Sequence, residues 1–361
     1  MLRRLIEAEP DGISGAVVVS LTSIGLIGQH LQSRGVRVHR LGMRSVFDTP
    51  VALLRLARLI NHYQPEVIQT WMYHADLLGG VAARLAGKRN IVWGIRRSNA
   101  SFSSLGLTWL VMKINALLSR AIPSKIVCVA ETARNIHVAA GYDSSRMVVI
   151  PNGFEFERLK ATAEQRIAMR EACGFAASDI VVGCVGRFDP DKDQANFVKA
   201  AAIVLSKFPN AKFLMVGRDC DSRNDKLTAW LSQFGAQDNF VLLGERSDIP
   251  ECLSAMDVFC MPSRTEGFPN GLGEAMAMGL PCVATRVGDT FALAGDTVAL
   301  VPAQNDQALA EALLSVINLP GERRSQMGQA SKARVIDEFS IEKAASQFKA
   351  VYEEVISGTK T

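Results

Sequence analysis

Glu266 and Glu274 are separated by seven residues that include Gly267, Pro269, Gly271 and Gly273. Proline and closely spaced glycines break a helix, so one continuous helix cannot carry both acids. The stretch from Ser263 to Glu274 instead predicts a strand end, a glycine-rich loop and a helix opening near 271–274. Such a loop offers unpaired backbone N–H groups and the positive end of a helix macrodipole to an anion. One acid in the loop and one at the helix start would hold different hydroxyls of the same ligand, the pattern of a sugar-nucleotide site. A carboxylate pair also suits acid–base chemistry, so the neighbouring loops matter.

Three of those loops come after expected strands. Gly186-Arg-Phe-Asp-Pro-Asp-Lys-Asp193 places Arg187 just past a strand and Lys192 near the next helix. Together they offer a bidentate clamp and a point charge to a diphosphate, unless both simply pair with Asp189, Asp191 and Asp193. Gly217-Arg-Asp-Cys-Asp221 would line a base or ribose, although a purely structural turn at Gly217 is the simpler reading. In Gly244-Glu-Arg-Ser-Asp-Ile249, Ser247 and Asp248 would face a nucleobase or cap the following helix.

Strands alternating with helices position these loops. Apolar strand-type runs fall at 15–21, 36–41, 66–71, 90–95, 125–130 and 147–150, with helices between them. The 15–21 run reads as buried on both faces. After Pro151-Asn-Gly153 and a polar stretch the rhythm restarts, with strands at 180–185, 211–216, 239–243, 258–261, 281–284 and 298–301. Such alternation implies parallel, doubly wound sheets in two domains, 1–155 and 156–345, with ligands bound beyond the strand C-termini.

A chain of 361 residues suits two cores rather than one. The net charge of +4 is unevenly spread: through Glu155 there are 18 Lys+Arg against 9 Asp+Glu, net +9, and the remainder has 22 against 27, net −5. A basic N-terminal half suits an anionic membrane or a phosphorylated acceptor, unless it merely solvates surface helices. The seven cysteines form no CxxC pair and read as reduced and buried. Neither a signal-type apolar region nor a run of ~18 apolar residues is found. A cytoplasmic chain, at the inner face of a membrane where the basic half meets lipid, is therefore expected. No nucleic-acid partner is expected. A nicotinamide dehydrogenase is disfavoured, because no GxGxxG with a downstream acid comes after any expected strand.

Arg187 and Lys192, followed by Glu266 and Glu274 within Glu-Gly-Phe-Pro-Asn-Gly-Leu-Gly-Glu-Ala-Met-Ala-Met-Gly-Leu-Pro, resemble the group 1 (family 4-type) retaining glycosyltransferases. Pro151-Asn-Gly153 resembles that family's interdomain strand end. The likeness covers nearly the whole chain and is strongest over 180–290. It implies an α/β GT-B architecture of two Rossmann-like domains facing across a cleft. The donor would lie on the C-terminal domain and the acceptor on the N-terminal one, with a last helix, 346–361, crossing back. It also implies that Arg187 and Lys192 neutralise the donor pyrophosphate, that Glu266 contacts the transferred sugar, and that Glu274 contacts the ribose. Backbone at Gly267, Phe268, Pro269 and Asn270 would approach sugar and phosphate, and Gly217 and Ser247 complete the expected donor set. Neither a metal nor a resident cofactor is expected, since a nucleoside-diphosphate sugar is the donor substrate and two cations and a helix N-terminus take the place of Mg²⁺. Transfer of a hexose to a glycan or lipid-linked acceptor in cell-surface polysaccharide or glycolipid assembly is the implied activity.

Two departures from the family pattern stand out. Gln69 and Trp71 occupy the positions where family members often carry histidine, which leaves His74 as the N-terminal catalytic candidate, unless it is only a helix-start residue. Arg96-Arg97-Ser98-Asn99, after the 90–95 strand, are candidate acceptor-phosphate ligands, unless they merely solvate the surface. The chain also begins inside what resembles the family's first helix, so the first strand and its glycine-rich loop are expected to be missing. A version extended upstream is accordingly expected to be more stable or more active. Two alternatives keep the fold: a nucleotide-sugar epimerase, or a nucleotide-sugar-binding protein inactive in transfer.

Overall fold

The computed structural model describes residues 1–8, 15–97 and 106–358. It divides into two compact units, Met1–Gly153 with Ile341–Thr361, and Phe154–Ser340.

In the second unit, six parallel strands form one sheet: β7 (Val181–Val185), β8 (Lys212–Val216), β9 (Phe240–Gly244), β10 (Val258–Met261), β11 (Cys282–Thr285) and β12 (Ala299–Val301). Their order is β12-β11-β10-β7-β8-β9, the doubly wound arrangement whose direction reverses between its first and fourth strands. Nearly continuous apolar runs make this possible. Every residue of β10 and β11 is buried, as a parallel strand covered on both faces requires. Phe213 stacks on Phe240 at 4.8 Å and meets Phe197 edge-on at 5.8 Å, filling one face. Two helices bear on the site: α8 (Gln194–Lys207) after β7 and α11 (Asn270–Ala277) after β10.

The chain enters this unit at Phe154, whose ring is fully buried and packs against α11. A Cβ on Gly273 would sit 2.1 Å from the Phe154 Cζ, so only glycine allows this approach. Phe268 and Phe339 complete the cluster, with ring centroids 5.6 Å apart. The helix that opens beside the glycine-rich loop is thus braced from behind.

In the first unit, α1 (Leu2–Ala8) precedes β1 (Val17–Ser20), α2 (Gly25–Ser33), β2 (Arg37–Arg40), α3 (Thr49–Tyr63), β3 (Ile68–Gln69), α4 (Tyr73–Leu85), β4 (Ile91–Ile95), α5 (Leu107–Leu118), β5 (Lys125–Cys128), α6 (Glu131–Ala139) and β6 (Met147–Val149). Two parallel sheets result, β1-β2 and β3-β4-β5-β6. No strand among the described residues joins β1 to β3, and the strand order of the second unit would put a first strand there. One expectation is corrected on these grounds. Each residue of β1 is only half-buried, because β1 pairs on one edge and, among the described residues, has no neighbouring strand toward β3.

Two contacts span the divided sheet. Leu5 of α1 packs with Val92, Ile150 and Phe348, while the adjacent Ile6 packs with Leu31 and Val36. The last helix, α15 (Ile341–Ser357), belongs to this unit along its whole length. It buries Phe348, Val351 and Val355 beside β4 and β5.

Candidate functional site

The loops after β7 and β10 lie at the switch point of the second sheet, where ligands of such folds bind. Lys192 Nζ donates to Glu266 Oε1 at 2.6 Å, and Ser263 Oγ donates to the same oxygen at 2.7 Å. Glu266 is only 8% exposed, so this carboxylate is stabilised by a cation and a hydroxyl rather than by bulk water. Arg264 clamps Asp193 with two bonds, 2.8 and 3.1 Å, while its N–H donates to the Asp191 carbonyl at 2.8 Å. Asp193 itself adopts φ 49° and caps α8, accepting from the Asn196 N–H. The two loops are therefore stitched together by side chain and main chain.

Lys192, Glu266, Ser263, Gly186 and Gly271 line one cavity. Gly271 is the second residue of α11, so the helix N-terminus opens onto the space that Lys192 enters. Cys184 also lines it, but desolvation pushes its thiol pKa up and keeps it neutral. A cation, a helix N-terminus and a buried carboxylate around one space can bind a group that carries both phosphate and hydroxyls.

The other expected residues are not among those that line this cavity. Arg187 Nε donates to Asp189 Oδ2 at 2.9 Å, the pairing that the loop's own acids offered. Gly217, at φ 146°, lies so close to the first loop that a Cβ would stand 2.1 Å from the Gly186 carbonyl oxygen. It is a close-approach glycine that seats the Arg187 loop. Ser247 is exposed, and Asp248 makes no side-chain cap but is held by Arg246 at 2.8 Å, so the capping expected of them is not seen. Phe268 turns its ring into the cluster with Phe154, which leaves only its backbone for a ligand. Pro269 precedes α11, Asn270 is exposed at its first position, and Glu274 is half-buried one turn in. Gly267 accepts the Asp289 N–H at 3.1 Å through its carbonyl. Ser263 and Arg264 were not singled out in the sequence, and Asp193 entered only as an alternative partner of Arg187 and Lys192. The only signal for Arg264 was its place two residues before Glu266.

In the first unit, His74 is exposed in the first turn of α4. Met72 just before it takes φ 74° and ψ 161°, a conformation that costs a side chain strain and recurs at functional turns. Trp71 packs on Phe348, and Gln69 lies within 3.4 Å of the Tyr352 hydroxyl. Arg96 is not free for an acceptor. It bonds Asn152 and the Ile150 carbonyl and lies 5.3 Å over the Trp71 ring. Arg97 is exposed, whereas Ser98 and Asn99 lie outside the described residues. Asp76 is fully buried, accepts from Thr70 Oγ1 at 2.5 Å, and leaves Oδ2 without a partner. Desolvation raises its pKa to about 8.

Two family models match the chain, one described as Glycosyltransferase Family 4 over residues 16–158 and one as Glycosyl transferases group 1 over residues 179–318. The chain belongs to the group 1, family 4-type glycosyltransferases. This glycosyltransferase is 25% identical over 310 residues to the UDP-Gal:alpha-D-GlcNAc-diphosphoundecaprenol alpha-1,3-galactosyltransferase of Escherichia coli, covering 84% of this chain and 79% of that protein. It is 34% identical over 205 residues to a GDP-mannose-dependent monoacylated alpha-(1-6)-phosphatidylinositol monomannoside mannosyltransferase of Corynebacterium glutamicum, over 54% of this chain and 52% of that one. The solved structure of Anabaena Alr3699/HepE in complex with UDP superposes with TM-score 0.84 at 20% identity, over 98% of this chain and 95% of that chain. Sucrose-phosphate synthase of Thermosynechococcus elongatus gives 0.72 at 19% identity, over 90% and 84%. These likenesses establish the GT-B fold that the motif led one to expect.

Proposed function

We propose that this glycosyltransferase moves a hexose from a nucleoside-diphosphate sugar to a glycan or lipid-linked acceptor, retaining the anomeric configuration and using no metal. The observation that carries this reading is the meeting of Lys192, Glu266 and the α11 N-terminus around one cavity. In the transfer, the bond from the sugar C1 to the β-phosphate oxygen breaks and its electron pair stays on the phosphate. Lys192 exchanges Glu266 for that phosphate, Arg187 leaves Asp189 for it, and both stabilise the developing charge. The acceptor hydroxyl bonds to C1 on the face being vacated and passes its proton to the departing phosphate. Glu266, released from Lys192, accepts hydrogen bonds from sugar hydroxyls, and Glu274 from the ribose. His74 is the first unit's candidate for contact with the sugar or the acceptor.

Relatives acting on diphosphoundecaprenol and phosphatidylinositol acceptors support a lipid-linked acceptor and assembly of cell-surface glycans. The net +9 of the N-terminal half favours peripheral contact with anionic lipid. Among the described residues, no helix is long and apolar enough to cross a membrane. The test is a mass-spectrometric screen of nucleotide sugars, with and without lipid extract. Consumption of one donor with a new glycolipid product is expected. Tight nucleotide binding with no turnover on any acceptor would instead identify a binding protein.

A further inference from the structure

Both hydrogen bonds on the Glu266 carboxylate, from Lys192 and Ser263, fall on Oε1, and no bond among the described residues reaches Oε2. The two donors differ in freedom. The Lys192 side chain is 27% exposed on a loop, whereas Ser263 is fully buried just beyond β10. Thr285, also fully buried, ends the neighbouring strand. Parallel pairing sets Met261 of β10 beside Ala284 of β11, and Thr285 Oγ1 then donates to the Ser263 carbonyl at 2.6 Å. Burial of both hydroxyls is tolerated because each has a partner.

The main chain of Glu266 is fixed by the turn after β11. Gly288 sits at φ 52°, and a Cβ there would stand 2.0 Å from the Glu266 carbonyl oxygen and 3.0 Å from that of Gly267. The adjacent Asp289 N–H donates to the Gly267 carbonyl at 3.1 Å, and the Arg286 N–H ties the turn to the Val301 carbonyl of β12 at 2.8 Å. With the backbone seated, the side-chain torsions of Glu266 are its remaining freedom, and a glutamate has many rotamers to lose. Once Lys192 has exchanged Glu266 for the donor phosphate, Ser263 alone among the described residues still bonds this carboxylate.

We propose that Ser263 and Thr285 are positioning residues for the donor sugar. Thr285 anchors the Ser263 main chain to β11, and Ser263 holds Glu266 Oε1 so that Oε2 meets a sugar hydroxyl. The inference rests on the reading of Glu266 as the sugar ligand and adds what aims it. Hydroxyls that merely satisfied buried groups would support the nucleotide and the sugar alike, whereas positioning residues act on the sugar alone and only through Glu266.

The experiment is calorimetric titration of the full chain with two pairs of probes, UDP with UDP-galactose and GDP with GDP-mannose, the donors named for its relatives. For the pair that the parent binds more tightly, the readout is the affinity for the sugar nucleotide divided by that for the free diphosphate. Ser263→Ala should lower this ratio about tenfold while diphosphate affinity stays within about twofold. Thr285→Val strands the Ser263 carbonyl, so it should melt lower and reduce the ratio about threefold. Thr285→Ser, which keeps the hydroxyl, should restore the ratio. In a Glu266→Ala background, Ser263→Ala should change nothing further, because no carboxylate remains to be aimed. Three results would overturn the proposal and leave the donor reading standing: an unchanged ratio in Ser263→Ala, equal losses for diphosphate and sugar nucleotide, or a full Ser263→Ala effect without Glu266. Binding of neither pair by the parent would overturn the donor reading and this inference with it.

Discussion

Replacing Lys192 with methionine removes the only cation seen on the buried Glu266 among the described residues, while keeping the length and apolar body of the side chain. Deleting one partner of a buried ion pair costs about 3–5 kcal/mol, most of it the penalty of an uncompensated charge. Two features of the structure reduce that here. The Lys192 side chain is 27% exposed, so water already screens the pair, and Ser263 continues to donate to Glu266. The expected loss is therefore about 2 kcal/mol in the second unit. Adding Glu266→Gln removes the stranded charge while preserving the hydrogen bond from Ser263, so the double variant should recover to within about 1 kcal/mol of the parent. Urea unfolding of the four proteins, followed by tryptophan emission from Trp230 near the first loop (Phe188 lies 5.6 Å away), gives the coupling energy directly. Additive losses, with the double variant weaker than either single, would refute the claim that Lys192 and Glu266 neutralise one another in the nucleotide-free protein. The same cycle bears on function. Glu266→Gln frees Lys192 and should leave nucleoside-diphosphate affinity unchanged or tighter, whereas Lys192→Met should weaken it.

Two further outcomes concern residues outside that pair. Asp76 is protonated in the fold up to about pH 8 but ionises near pH 4 when unfolded, so the unfolded state alone gives up the proton between those values. Stability from this group is thus greatest at low pH and falls as pH rises through the window, by up to about 1.4 kcal/mol per unit. Melting temperatures of the Asp76→Asn variant should fall less than those of the parent between about pH 5 and 7.5; parallel curves would contradict the buried neutral carboxyl. Gly217→Ala would force its Cβ onto the Gly186 carbonyl and displace the Arg187 loop. Nucleotide affinity should drop about tenfold or more, with a stability loss of about 1–3 kcal/mol, and calorimetry showing unchanged affinity would remove Gly217 from the site's support.

How much of this was legible in the sequence depended on whether the signal was local. Glu266, Lys192 and the helix at Asn270 announce themselves through glycine and proline spacing and through their place after apolar strand runs. The doubly wound sheet comes from the same alternation. Pairings between distant loops carry no such mark, and Arg264 with Asp193 or Lys192 with Glu266 is decided by the switch-point geometry. Phe268 sits in a motif rich in backbone contacts, yet its ring serves the aromatic cluster that Phe154 and Phe339 build from far along the chain. The run of valines in β1 predicts burial on both faces, and only the sheet order reveals an edge. Arg96 shows the reverse error. A charged residue after a strand suggested a ligand, whereas Asn152 and Trp71 hold it.

The central claim is that Glu266 acts on the sugar rather than on the nucleotide. Its most direct test compares the parent and Glu266→Gln chains for turnover of the donor found by screening and for nucleoside-diphosphate affinity by calorimetry. Turnover reduced on the order of a hundredfold with affinity retained is the expected result. Equal turnover in the two chains, or a matching loss of affinity, would contradict it.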